Sequence, residues 1–222
     1  PPVTNLYSTF LFAAWAAGVA ALLAVVRRRG PLARGGAVVA AILLMVAGRY
    51  EADGDTMARV VAVLDSNLWL TAHVMTIMLG YAGCLLAGAI AHGALWTAVR
   101  HGPGAAAESF RAVRGCLAFG LVFTFIGTTL GGVWADLSWG RFWGWDPKEN
   151  GALLIILWVS AVLHARASGL IRDVGMAAGA VVTVAVVLAA WLGVNLLGIG
   201  LHAYGFTSGA ARGWLAATVV EL

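Results

Sequence analysis

Apolar runs long enough to cross a bilayer recur along nearly the whole of this chain, and they restrict its fold class more than any other feature. Inside the hydrocarbon no water satisfies backbone amides, so a lipid-exposed span must be a helix or part of a closed barrel. A helical span needs about 20 apolar residues. Six are read here: Leu6–Val26, Gly35–Gly48, Leu68–Val99, Gly115–Ala135, Gly151–Ala165 and Val174–Leu197. The third exceeds the need of one crossing and is expected to tilt or protrude. With 61% hydrophobic and 11% charged residues, the 222-residue chain is not a soluble domain. The expected architecture is an all-α polytopic membrane protein of about six transmembrane helices, one integral domain over residues 1–222.

Lys and Arg set the expected orientation. Arg27, Arg28, Arg29 and Arg34, then Arg100, Arg111 and Arg114, then Arg166 and Arg172 fall at alternate connections, nine of the chain's 14 basic residues on one side. Glu51, Asp53, Asp55, Asp65, Asp136, Asp146 and Glu149 fall on the other. The first side is therefore read as cytoplasmic and the second as outward, with the acidic connection Tyr50–Asp65 as an outward loop. The net charge of +4 follows from this bias and does not point to a nucleic-acid partner. The chain starts Pro1-Pro2-Val3 without Met and is expected to be a fragment or a processed product. Its first span does not read as a signal peptide, because its basic cluster follows the apolar run. The tail Trp214–Val220 is too short to span. Cys84 and Cys116 lie inside predicted spans, far apart in sequence, and read as buried small residues rather than a thiol-exchange pair.

Against that background one segment stands apart, Trp139-Gly140-Arg141-Phe142-Trp143-Gly144-Trp145-Asp146-Pro147-Lys148-Glu149-Asn150. Three Trp and a Phe within seven residues, spaced by glycines, form a flat apolar wall suited to a large planar ligand. Interfacial Trp belts offer a plainer account, but they scatter single rings and do not gather them in one loop. The outward aromatic loop is expected at about residues 134–150.

Ionisable groups in or beside spans are costly and often functional. His73, early in the third span, and His202, after the sixth, share the outward side with the aromatic segment. Neutral imidazole is a usual ligand of haem iron, so the two form a candidate axial pair; interfacial histidines are the competing account. His164 lies 14 residues beyond Asn150, about 20 Å along a helix, near the cytoplasmic end of the fifth span. It is either a ligand of a second, deeper haem or a structural residue. His92 carries no further signal, and His101 reads as a cytoplasmic loop residue. Asp146, Pro147 and Glu149 have the N-cap, N1 and N3 chemistry of a capping box, which is the favoured reading of both acids. Arg141 and Lys148 are freer, and either is a candidate partner for a haem propionate.

At these residues the chain resembles the cytochrome c assembly family, whose hallmark is an outward tryptophan-rich loop, the WWD domain. Four segments carry the resemblance in family order: Pro2–Tyr7, the helix start around His73, Trp139–Asn150 continuing through Leu163-His164-Ala165-Arg166, and Val194–Phe206 around His202. The resemblance is to the system II branch. It implies His73 and His202 as outward axial ligands of haem b, with Trp139, Trp143, Trp145 and Asp146 in the loop, and His164 as a transmembrane ligand whose partner histidine belongs to a companion CcsB (ResB) subunit. It further implies a bacterial cytoplasmic membrane or the thylakoid equivalent, with the loop at the outer face. There, thiols of an apocytochrome c Cys-x-x-Cys-His motif add to the haem vinyl groups, and the motif's histidine displaces one axial ligand. No acid or nucleophile of this chain is required, so its part in the haem lyase complex is presentation and redox protection. The alternatives are a system I haem chaperone or lyase subunit, a bis-histidine b-type electron carrier, and a haem-free transporter gated by the aromatic loop.

Overall fold

The computed structural model describes residue 3 and residues 6–51 and 68–194. Within them every regular element is a helix: α1 (Leu6–Val26), α2 (Gly30–Glu51), α3 (Leu68–His101), α4 (Ala107–Trp139), α5 (Pro147–Ala167) and α6 (Asp173–Trp191), with a 3₁₀ turn at Pro103–Ala106 leading into α4. All six α-helices contain stretches long and apolar enough to span a membrane. The chain is a multi-pass helical membrane protein, as its apolar runs require.

The helices outrun the apolar segments that announce them. α2 begins five residues before the expected Gly35, and α4 begins eight before the expected Gly115. Charged side chains end an apolar run without ending a helix, and Glu108, Arg111 and Arg114 all lie on α4. His101, expected in a loop, is the last residue of α3. The aromatic connection, expected at about 134–150, is shorter. α4 runs through Trp139, and α5 starts at Pro147, so only residues 140–146 leave the helical path. The end of the sixth expected span, the acidic loop beyond Glu51 and the tail at 214–220 lie outside the described residues.

α3 is the axis of the bundle. Of its most apolar stretch 72% is buried, against 44% in α6 and less in the other four. It packs on α1, α2, α4 and α6. The longest contact is with α4, along a seam where glycines let the backbones approach, as small residues do at helix crossings in lipid. A Cβ at Gly127 would stand 2.7 Å from the backbone nitrogen of Ile77. Outside this core, Leu22, Val26, Met45, Phe125, Leu157 and other large apolar residues are exposed. On a soluble monomer such surface would be a liability; around a spanning bundle it is the face that lipid covers.

Alternating helix directions put two sets of features at opposite ends. One end holds the short connections carrying Arg27–Arg29, the turn after His101, and Arg166–Arg172. The other holds the 140–146 loop, the start of α3 and the end of α6. These are called below the arginine end and the loop end.

Candidate functional site

At the loop end, α4 stops where Gly140 adopts a left-handed conformation (φ 70°) and its N–H donates to the Asp136 carbonyl. α5 restarts at a complete capping box. Asp146 accepts from the Lys148 N–H at 2.9 Å, and Glu149 Oε2 accepts from the Asp146 N–H at 3.1 Å. Glu149 does more than the box requires. The same oxygen accepts from the Gly144 N–H at 2.8 Å, and Oε1 takes the Arg141 guanidinium at 2.9 Å. One carboxylate thus gathers both ends of the loop around itself.

That scaffold forces an unusual backbone. Trp145 has φ 57°, a left-handed conformation costing a non-glycine residue about 1–3 kcal/mol. The Asn150 amide, which donates to the Trp145 carbonyl at 3.0 Å, helps to hold it. The Trp145 ring is 70% exposed and meets Trp143 edge-on, with centroids 5.9 Å apart. On the inner side, Phe142 folds back onto Gly132, where a Cβ would stand 2.5 Å from its ring. Trp139 meets buried Trp134 edge-on at 4.6 Å. The expected wall is therefore two edge-on pairs, buried Trp134 with half-buried Trp139 and half-buried Trp143 with exposed Trp145.

His73 reaches the same α4 turns. Leu70 and Val74, on the His73 face of α3, pack with Trp134, Ala135 and Trp139. The His73 ring lies against Gly131, where a Cβ would come within 2.6 Å of it. Its Nδ1 is 2.7 Å from the Gly127 carbonyl. A carbonyl only accepts, so Nδ1 carries a proton; in a neutral ring so held, Nε2 is the nitrogen that can ligate. His92 and His164 also approach carbonyls, in their case four residues back on their own helices, Gly88 and Ser160, both at 2.8 Å. His73 is oriented from a second helix, α4. Adjacent residues Gly131 and Gly132 thus seat the His73 ring and the Phe142 ring, joining the histidine to the loop.

The other expected site residues fall as follows. His164 is exposed near the arginine end of α5, away from His73. Arg141 and Lys148, expected to be the freer cations, both have partners. Arg141 pairs with Glu149, and the Lys148 ammonium donates to the Trp191 carbonyl at 2.5 Å, tying the loop to the end of α6. The sequence offered no cue for either bond, because Trp191 lies 43 residues away and Glu149 was assigned to capping alone. His202 lies outside the described residues. Trp134 was not singled out among the site residues, although it is 2% exposed and its Nε1 has no hydrogen-bond partner among the described residues. Cys84 is buried and Cys116 half-buried, and both are free thiols, as expected.

These features define an all-helical multi-pass membrane protein that mounts a tryptophan-bearing loop beside a helical histidine oriented from a neighbouring helix. Residues 3–202 match the family described as Cytochrome C assembly protein, and the chain belongs to that family. Among its relatives are three proteins named cytochrome c biogenesis protein CcsA. That of Prochlorococcus marinus (strain MIT 9303) is 31% identical, over 92% of this chain and 76% of its own length. That of Parasynechococcus marenigrum (strain WH8102) is 30% identical, over 94% and 79% respectively. That of Gloeothece citriformis (strain PCC 7424) is 30% identical, over 92% and 79%.

Proposed function

We propose that this chain is the haem-presenting subunit of a system II cytochrome c synthase, holding haem b at the loop end for attachment to apocytochrome c. The observation that carries the reading is His73, its ring against Gly131 of α4, next to the Gly132 that seats Phe142 of the aromatic loop, and its Nδ1 held by the Gly127 carbonyl. Kinship with proteins named CcsA favours system II over the system I alternative.

The residues fit the group. A porphyrin supplies its own equatorial nitrogens, so the protein need add only axial ligands. Among the described residues no cluster of three or more His, Cys, Asp or Glu is assembled for a bare ion. An imidazole in its Nε2-ligating form beside indole faces is what an axially held planar group needs. In this reading His73 and His202 hold the iron, and Trp139, Trp143 and Trp145 line the haem face or edge. When bound, haem supplies the vinyl groups to which the apocytochrome thiols add. Asp146 and Glu149 fix the loop so that the rings are ordered before the ligand arrives, which lowers the cost of binding. Arg141 retains N–H donors beyond the one given to Glu149, and Lys148 beyond the one given to Trp191, so either cation can still donate to a propionate. The exposed Trp145 presents an indole to the incoming apocytochrome. His164, exposed at the arginine end, fits a ligand completed by a companion CcsB-type subunit.

The test is absorption spectroscopy of the purified protein with single His73→Gly and His202→Gly substitutions. Each is expected to lower haem retention at least severalfold and to recover it with added imidazole, which fills the vacated ligand position. Wild-type spectra in both variants would overturn the axial pair.

A further inference from the structure

The bundle holds a second recess at its arginine end, remote from the aromatic loop and from every residue assigned a role above. It is a half-open cavity of about 750 Å³ between α1, α2, α3 and α4. That size lies within the usual range of small-molecule sites, about 300–1,000 Å³. The walls are apolar, from Ala20 on α1, Leu86 on α3 and Phe119 on α4, whereas the rim carries Arg29, Arg111 and Glu108. Neither arginine forms an ion pair among the described residues, so the rim offers two guanidinium forks and one carboxylate. A ligand for such a recess needs an apolar body that stays within the membrane and an anionic head at its edge. Basic pockets between helices at this depth suit phospholipid headgroups, and guanidinium binds phosphate oxygens bidentately.

We infer that this cavity binds one phosphatidylglycerol molecule, its phosphate on Arg29 and Arg111 and an acyl chain against Ala20, Leu86 and Phe119. The charges choose this lipid. Two arginines and Glu108 leave the rim one positive charge in excess, which a monoanionic phosphodiester neutralises, and the glycerol hydroxyls donate to the Glu108 carboxylate. Phosphatidylcholine has neither the net charge nor a headgroup donor.

Gly115 makes the site testable without damaging the fold. It lines the cavity, and a Cβ placed there meets nothing within 4 Å. Gly115→Leu adds bulk at the cavity wall without a clash at its Cβ, and leucine favours the helical conformation more than glycine does. The full chain would be equilibrated in detergent micelles with equimolar dioleoyl phosphatidylglycerol, phosphatidylethanolamine and phosphatidylcholine, and retained lipid read by native mass spectrometry. The wild type should keep one phosphatidylglycerol in preference to the other two. Gly115→Leu and the double variant Arg29→Gln/Arg111→Gln should each lose that preference by about tenfold or more, with wild-type melting. Equal retention of the three lipids would overturn the proposal, as would a phosphatidylglycerol adduct that persists in Gly115→Leu. Retention of haemin in place of the lipid by the wild type, and its loss in Gly115→Leu, would overturn it too, assigning the recess to a carboxylate-bearing tetrapyrrole.

Discussion

Glu149 shows how far a side chain's role can exceed what its position announces. Its place three residues after Asp146 makes the capping box legible in the sequence, and the box forms. The bonds to Arg141 and to the Gly144 N–H are not legible, because they depend on the loop folding back over its own carboxylate. The same blindness affected Lys148, whose partner carbonyl lies on another helix. A hydrogen bond to a charged group contributes about 1.5–3 kcal/mol, and an orphaned partner costs more than the bond was worth. Glu149→Ala removes three donors' acceptor at once and frees Trp145 from a backbone conformation it adopts only under constraint. The expected result is a loss of about 2–4 kcal/mol of stability, with faster proteolytic nicking within residues 140–146. Glu149→Gln keeps one acceptor oxygen and should fall between wild type and alanine. A melting curve and a nicking rate unchanged by Glu149→Ala would remove the carboxylate from the centre of the loop. Asp146, whose side chain caps α5, should be milder, at about 1 kcal/mol for Asp146→Ala in the same melt.

The existence of each helix was readable from its apolar run; its ends were not, since hydropathy stops at the first charged turn and the backbone does not. How the helices meet was less visible still. The glycines of α3 and α4 are scattered through a sequence rich in glycine, and nothing local distinguishes those in the seam between the two helices from those that face away from it. The packing separates them. At Gly127 an added Cβ would stand 2.7 Å from a backbone nitrogen of α3 and 2.8 Å from the adjoining Cα, atoms that cannot rotate aside. At Gly93 it would meet nothing within 4 Å. Gly127→Ala must therefore part α3 from α4, an overpacking cost of about 1–3 kcal/mol. It also moves the carbonyl that orients His73. Gly93→Ala should be neutral or stabilising by up to about 1 kcal/mol from helix propensity. The pair is informative because the substitution is the same in both. Thermal melts should separate the two variants, and the haem absorption band should weaken or shift in Gly127→Ala alone. Equal behaviour would mean that the α3–α4 seam does not govern the histidine.

Across the whole molecule, two kinds of chemistry stand at opposite ends of one bundle. The loop end collects the aromatic pairs, oriented His73 and the acids that brace the loop. The arginine end collects nine arginines, the exposed His164, and Trp96 with the Arg100 guanidinium 4.2 Å above its ring. Such a cation over an interfacial indole suits the headgroup layer. A basic excess on short connections marks the cytoplasmic side, because translocating those segments is disfavoured during insertion. On the orientation we propose from this bias, the loop faces the compartment where an apocytochrome c with a free Cys-x-x-Cys-His motif would have to meet it. This orientation has a direct check in two exposed positions that no hydrogen bond uses. Leu137 lies at the loop end of α4, 63% exposed, and Leu170 lies in the α5–α6 connection, 82% exposed. In intact cells a membrane-impermeant maleimide should label Leu137→Cys and spare Leu170→Cys until the membrane is permeabilised. The parent chain serves as the background, because Cys84 is buried and Cys116 half-buried. The reverse pattern would place the aromatic loop on the cytoplasmic side, and presentation of haem to a translocated apocytochrome would then fail on topology alone, however well His73 binds iron.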